Sequence, residues 1–231
     1  EVARDLEAIR LALGSEKLNY LGFSYGTHIG QEYAELFGER IRAMALDGVV
    51  DPSLGFEEFL IGQADAFDAA FERQANACDR AGESECGVDN LIEAYDSVAM
   101  AAEVATIDAG GAPLQPAQVA TAAIYTGYSS DGWMLLGPAL GHALDGDGTS
   151  LAELADSYVE LGTYGPYAGV VCTDTAHPEG LLQYQEFTQR AVEVSPRFGG
   201  SIAAEMLPCA TWPVAPRDTA VPLTAPDAPP I

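Results

Sequence analysis

Cationic side chains are scarce in this chain. Its 231 residues hold a single lysine, Lys17, and Lys plus Arg total 10 against 35 Asp plus Glu, for a net charge of −25. Such a surface repels phosphate backbones and anionic headgroups, so neither nucleic acid nor a membrane surface is an expected partner, and solubility is favoured. No run of about eighteen apolar residues appears, so no membrane span is expected. Histidine is limited to His28, His142 and His177, and no Cys-x-x-Cys or Cys/His ligand spacing occurs, so neither metal nor cofactor is expected. The four cysteines, Cys78, Cys86, Cys172 and Cys209, allow three pairings. An even count in an acidic, lysine-poor chain points to disulfides and export. Cys78 with Cys86 and Cys172 with Cys209 is the expected pairing, with free buried thiols as the alternative. There is no signal peptide and no initiator methionine. The chain starts inside a helical pattern and stops at Ala-Pro-Pro-Ile231, and it is expected to be a piece of a longer protein with any export signal upstream.

What is present begins with Leu18 to Thr27, where a short apolar run meets Gly22-Phe23-Ser24-Tyr25-Gly26. G-x-S-x-G at the junction of a strand and a helix is a nucleophile elbow: the glycines let the two backbones pass closely, and the strained serine projects its hydroxyl. The flanks support that reading. Val2, Leu6, Ile9 and Leu13 mark one helical face up to Gly14, Ile29, Tyr33, Leu36 and Phe37 mark another up to Gly38, and Ile41 to Leu46 reads as a second buried strand closed by Asp47-Gly48. Helix, strand, elbow, helix, strand predicts a right-handed parallel crossover, with Ser24 at the carboxyl end of its strand, where open α/β sheets place their sites.

After Asp51-Pro52 the composition turns to alanine and aspartate, and helices are expected. Apolar spacing predicts them over 56–77, 90–105, 116–125, 131–144, 151–161 and 179–194. Loops are expected at 79–87, closed by the first cysteine pair, and at 162–169, rich in tyrosine and glycine. Asp145-Gly-Asp147-Gly148 lacks the spacing of a calcium loop, and Ser150 with Glu153 reads as a capping box.

Gly-Phe-Ser24-Tyr-Gly-Thr, Ala45-Leu-Asp47-Gly-Val-Val-Asp51-Pro, Val171-Cys172-Thr-Asp174 and Pro208-Cys209-Ala-Thr-Trp212-Pro together resemble the tripeptidyl aminopeptidase branch of the α/β-hydrolases. Members are exported bacterial serine peptidases, similar in fold to proline iminopeptidases. The resemblance implies an α/β fold: a partial hydrolase core over 1–51, a large helical cap inserted after the sixth strand over 52–205, and a return segment over 206–231. It implies release of short peptides from free N-termini through an acyl-enzyme on Ser24, with the Tyr25 backbone N–H as one oxyanion donor. An esterase or lactone hydrolase on the same scaffold, or a noncatalytic binding protein, are the alternatives. In the family the triad acid and histidine follow the cap and the second oxyanion donor precedes the elbow, so this stretch alone is expected to be inactive. His28, one turn beyond Ser24, is read as a packed helix residue, His142 as a helix-end cation, His177 as the histidine with most chance of approaching the serine, and Asp47 as a turn residue. A peptide's free amine needs a carboxylate, and Asp174, Glu179 and Glu205 are the candidates. Oligomeric state is not indicated.

Overall fold

The computed structural model describes residues 1–159, 164–216 and 222–230. They fall into two compact units, one of Glu1–Gly55 with the described residues after 221, the other opening at Phe56.

In the first unit, α1 (Val2–Ala12) leads to β1 (Leu18–Phe23), α2 (Tyr25–Phe37), a 3₁₀ turn at Gly38–Arg40 and β2 (Ile41–Asp47). The strands pair in parallel, from Leu18 opposite Ile41 to Phe23 opposite Asp47, with one irregularity after Leu18. This is the expected crossover. Gly14 ends α1 at φ +65°, and its N–H donates to Leu11 O at 3.0 Å. Tyr33, Ala34, Ile41 and Met44 form the core with Ala3, flanked by Leu6, Leu18, Tyr20 and Phe37.

Two expectations about burial fail here. β1 is not a buried strand, because Asn19, Leu21 and Phe23 face outward and only Gly22 is fully covered. Among the described residues β1 pairs with β2 alone, and no layer covers the Leu21 and Phe23 face. Likewise Val2, Ile9 and Leu13 of α1 are exposed, while Ala3 and Arg10 are buried. The inward stripe of α1 runs Ala3, Leu6, Glu7, Arg10. A charged pair can take that place because both partners are satisfied: the Arg10 guanidinium grips Glu7 at 2.7 and 2.8 Å, Tyr33 Oη donates to Glu7 at 2.7 Å, and Arg10 also donates to the Ser15 and Glu16 carbonyls. Near the other end of the chain, the Thr224 and Ala225 N–H groups donate to the Glu35 carboxylate at 2.8 and 2.6 Å, which lowers its pKa.

The second unit is helical: α3 (Phe56–Ala81), α4 (Glu83–Cys86), α5 (Leu91–Glu103), α6 (Pro116–Gly127), α7 (Ser130–Leu144), α8 (Thr149–Val159), α9 (Tyr164–Asp174), α10 (Gly180–Val194), α11 (Gly199–Glu205) and a 3₁₀ turn, Leu207–Thr211. The long α3 is its axis, packing against α4, α5, α6, α7, α10 and α11. Phe56, Leu60, Ala64 and Phe71 of α3 are buried, each large side chain contributing about 1.5–3 kcal/mol. Phe71, Tyr95 and Phe198 pack ring to ring, and Arg197 lies 5.6 Å above Phe71 while binding Asp96. Side-chain caps open two helices: Asn90 Oδ1 accepts from Glu93 N at 3.1 Å, and Ser129 Oγ accepts from Gly132 N at 3.1 Å.

Disulfides join Cys78 to Cys86 and Cys172 to Cys209, as expected. Other details differ. The 79–87 loop is instead the last turn of α3 and the short α4, since the bridge tethers two helix ends. The tyrosine-glycine stretch is helical from Tyr164, because Ala168, Val171 and Cys172 turn one face into the core. Its residues 162 and 163, and the expected end of the 151–161 helix, lie outside the described residues. The Ser150 and Glu153 capping box does not form: α8 begins at Thr149, and the Asp147 carboxylate accepts that residue's N–H at 3.0 Å.

Candidate active site

Ser24 sits between the last residue of β1 and the first of α2, at φ 50° and ψ −122°. A non-glycine residue at positive φ stores on the order of 1–3 kcal/mol and persists where its surroundings over-determine it. The surroundings here are specific. Ser24 N–H donates to Asp47 O at 3.0 Å, and Ser24 O accepts both from Thr27 N at 2.9 Å and from Thr27 Oγ1 at 2.7 Å. Thr27 is fully buried, and its hydroxyl in turn accepts from Val50 N at 2.9 Å. Gln31 Nε2 donates to Val50 O at 2.8 Å, so the elbow and the chain after β2 are laced together.

Glycines let this happen. A Cβ on Gly22 would lie 2.6 Å from Gly26 O, and one on Gly30 would lie 2.7 Å from the Tyr20 ring. The Tyr20 ring fills the space beneath the start of α2, and its hydroxyl donates to Gly26 O at 2.6 Å. Tyr20, Thr27 and Gln31 were not singled out from sequence. Their signal was there: an aromatic two residues before the first glycine, and a hydroxyl one turn into the helix.

Ser24 itself is exposed, which leaves its hydroxyl accessible at the N-terminus of α2, beside the Tyr25 N–H. That end of a helix carries positive partial charge suited to a developing oxyanion. The contacts of His28 run along its own helix. Its ring lies 5.5 Å from that of Tyr25, and its Nε2 is 3.6 Å from the Glu32 carboxylate one turn further along. Asp47 joins the elbow through its backbone carbonyl, with the residue exposed at the end of β2.

A model of the alpha/beta hydrolase fold matches residues 1–84. Residues 1–84 carry the α/β-hydrolase fold. The chain is 34% identical over 249 aligned residues to the serine protease Hip1 of Mycobacterium tuberculosis, covering 97% of the chain and 47% of that protein. It is 31% identical over 226 residues to a tripeptidyl aminopeptidase of Streptomyces lividans, covering 92% and 41%, and 34% identical over 231 residues to carboxylesterase B of Mycobacterium tuberculosis, covering 92% and 44%. It therefore spans a little under half the length of these relatives.

The remaining candidate residues lie in the helical unit. His142 occupies the last turn of α7. His177 lies between α9 and α10, with Nδ1 3.1 Å from Pro178 O, its buried Nε2 unpartnered among the described residues, and its ring edge-on to Phe56. Asp174 ends α9, Glu179 is the exposed N-cap residue of α10, and Glu205 is the half-buried last residue of α11. Burial raises the carboxyl pKa of Glu205.

Proposed function

We propose that this chain is the nucleophile-bearing part of an exported serine peptidase that releases short peptides, tripeptides among them, from free N-termini. The observation that carries the reading is Ser24 held at φ 50° between a strand and a helix N-terminus. In the reaction, Ser24 Oγ attacks the scissile carbonyl carbon and its proton passes to a base. The amine leaves protonated, and water then attacks the acyl-enzyme and restores the serine. Tyr25 N–H donates to the oxyanion. The base and its carboxylate come from chain outside the stretch described, as they do in the family the sequence resembles, so the stretch alone is inactive. The helical unit acts as a cap inserted after the sixth strand, and Asp174, Glu179 and Glu205 are its contacts for the substrate's amine. The two disulfides fit an extracellular or cell-surface location.

The similarity to carboxylesterase B favours a second reading, an esterase on the same scaffold. A fluorophosphonate probe on the full-length protein tests the shared chemistry: labelling that disappears in Ser24→Ala is expected, and an unlabelled native protein points to a noncatalytic binding role. Peptide amides with free N-termini, set against short acyl esters, separate peptidase from esterase. Turnover of esters alone overturns the peptidase reading.

A further inference from the structure

Thr27, Gln31 and Glu35 stand four residues apart on α2, so they fall along one stripe of the helix that starts behind Ser24. The stripe climbs from core to surface: Thr27 is buried, Gln31 half-buried and Glu35 exposed. What it grips is backbone from elsewhere in the chain. Thr27 Oγ1 accepts from Val50 N at 2.9 Å and Gln31 Nε2 donates to Val50 O at 2.8 Å, so both main-chain groups of Val50 are engaged, as a neighbouring strand would engage them. The Glu35 carboxylate takes two successive N–H groups on one oxygen, Oε2, from Thr224 at 2.8 Å and Ala225 at 2.6 Å, with the Thr224 hydroxyl at 3.4 Å. Consecutive N–H groups converging on an anion form a nest, here with the anion supplied by α2.

The two gripped segments are the two ends of one excursion. Val50 stands shortly before Gly55, where the chain leaves the first unit for the helical one, and Thr224 and Ala225 follow its return to the first unit. Packing fixes the returning end further. Ala225 and Ala228 lie against the core of Tyr33 and Ile41, and Ala228 N donates to Ala225 O at 3.1 Å. The backbone there approaches the end of α2 so closely that a Cβ on Gly38 would lie 2.7 Å from Ala228 N. Ala225 itself is at φ +39°, a conformation that a non-glycine residue keeps only where its surroundings hold it. Glu35 is the side chain that holds its N–H.

We infer that Glu35 is a positioning residue: with Thr27 and Gln31 it makes α2 a bracket that pins both ends of the excursion to the helix presenting Ser24, and so sets the register in which the chain beyond Ala225 continues. The inference rests on the serine-hydrolase chemistry proposed above, in which the base for Ser24 and its carboxylate follow in that chain. Glu35 then acts on the proton transfer through the backbone it holds, without touching substrate. A base misplaced by an ångström costs about 10²-fold in rate, which gives a modest surface clamp a large kinetic effect.

The test uses full-length protein, with Glu35→Ala, Glu35→Gln, Glu35→Asp and, as an exposed carboxylate outside the bracket, Glu39→Ala. Hydrogen exchange read by mass spectrometry reports on residues 222–226, where Pro222 and Pro226 carry no N–H and Thr224 and Ala225 supply most of the signal. Exchange there should be at least about tenfold faster in Glu35→Ala, with residues 48–52 at their native rate. The rate of fluorophosphonate labelling at Ser24 and kcat on a tripeptide anilide should both fall about tenfold or more, with KM within about twofold of native. Glu35→Gln keeps an oxygen for both N–H groups and should recover to within about threefold of native, while Glu39→Ala should match native. Glu35→Asp keeps the charge but draws it back by one methylene; it should lose rate as well, and it carries the test should Glu35→Ala fail to fold. Urea midpoints establish that each variant is folded under the assay conditions. Native labelling and kcat in folded Glu35→Ala or Glu35→Asp, a loss confined to KM, or unchanged exchange of 222–226 overturns the positioning role. A native protein that is not labelled, but whose 222–226 exchange responds to Glu35→Ala, keeps the bracket and removes the serine-hydrolase reading instead.

Discussion

Replacing Gly22 by alanine probes the elbow most directly. The added Cβ would stand 2.6 Å from Gly26 O and 2.8 Å from both Gly26 C and Tyr20 Cε1, where ordinary contact begins at 3.4 Å. Two of those atoms are backbone and cannot swing aside, so β1 and the first turn of α2 must separate by several tenths of an ångström. Overpacking of this kind costs about 1–3 kcal/mol. The same displacement pulls Gly26 O from Tyr20 Oη, a hydrogen bond of 2.6 Å whose loss adds about 0.5–1.5 kcal/mol. Gly22→Ala should therefore destabilise the first unit by about 2–4 kcal/mol in urea unfolding. Labelling of Ser24 by a fluorophosphonate should slow by up to about 10²-fold, the penalty for a reacting group misplaced by an ångström. Gly62→Ala is the control: it sits mid-helix in α3 with open space around the new methyl, and should stabilise by about 0.5–1 kcal/mol. A Gly22→Ala protein with native unfolding midpoint and native labelling rate would refute the account of how the elbow is held.

Two further outcomes follow from the same geometry. The Cys172–Cys209 bridge closes a sequence separation of 37 and Cys78–Cys86 one of 8, so loop entropy assigns them about 4 and about 2.5 kcal/mol. Paired Cys→Ala variants compared in urea should lose stability in that order, and the reverse order would show that packing, not chain constraint, dominates. The Arg10 guanidinium, aided by Tyr33, holds the Glu7 carboxyl at about 2 against an ordinary 4.5. Its folded pKa lies below its unfolded one, so Glu7 stabilises fully above about pH 4.5 and loses that contribution as pH falls from there towards 2. Between pH 6 and pH 3 the urea midpoint of the first unit should fall further in native protein than in Glu7→Gln. Equal falls would remove Glu7 from the acid response.

Local chemistry made much of this molecule legible in advance. Gly22, Ser24 and Gly26 at their spacing, between an apolar run and a helical stripe, are enough to place the elbow, because the steric demand is met within five residues. In the second unit α3, α5, α6, α7, α8 and α10 follow from apolar spacing, as do both cysteine pairs from the even count, while α4, α9 and α11 do not. Misreadings arose where a tertiary partner outweighed the local pattern. Tyr164 to Gly169 look like a loop by composition, yet helix forms where Ala168 and Cys172 find a core to enter. In α1, hydrophobicity pointed to Val2, Ile9 and Leu13, while the buried stripe runs through a satisfied Glu7–Arg10 pair.

The sequence by itself determined that a serine would stand at a strand-to-helix turn, since that conformation is imposed by neighbours along the chain. Only the tertiary structure decided what ties the elbow to the chain beyond β2: Val50 N–H donates to the Thr27 hydroxyl and Val50 O accepts from Gln31, partners 23 and 19 residues back along the chain. Only it, too, brought Arg197 onto Asp96 and the Tyr164 hydroxyl onto the Glu205 carbonyl. Hydrogen bonds and charge act through space, and residues as far apart as Arg197 and Asp96, 101 positions along the chain, become neighbours only once the helices have packed.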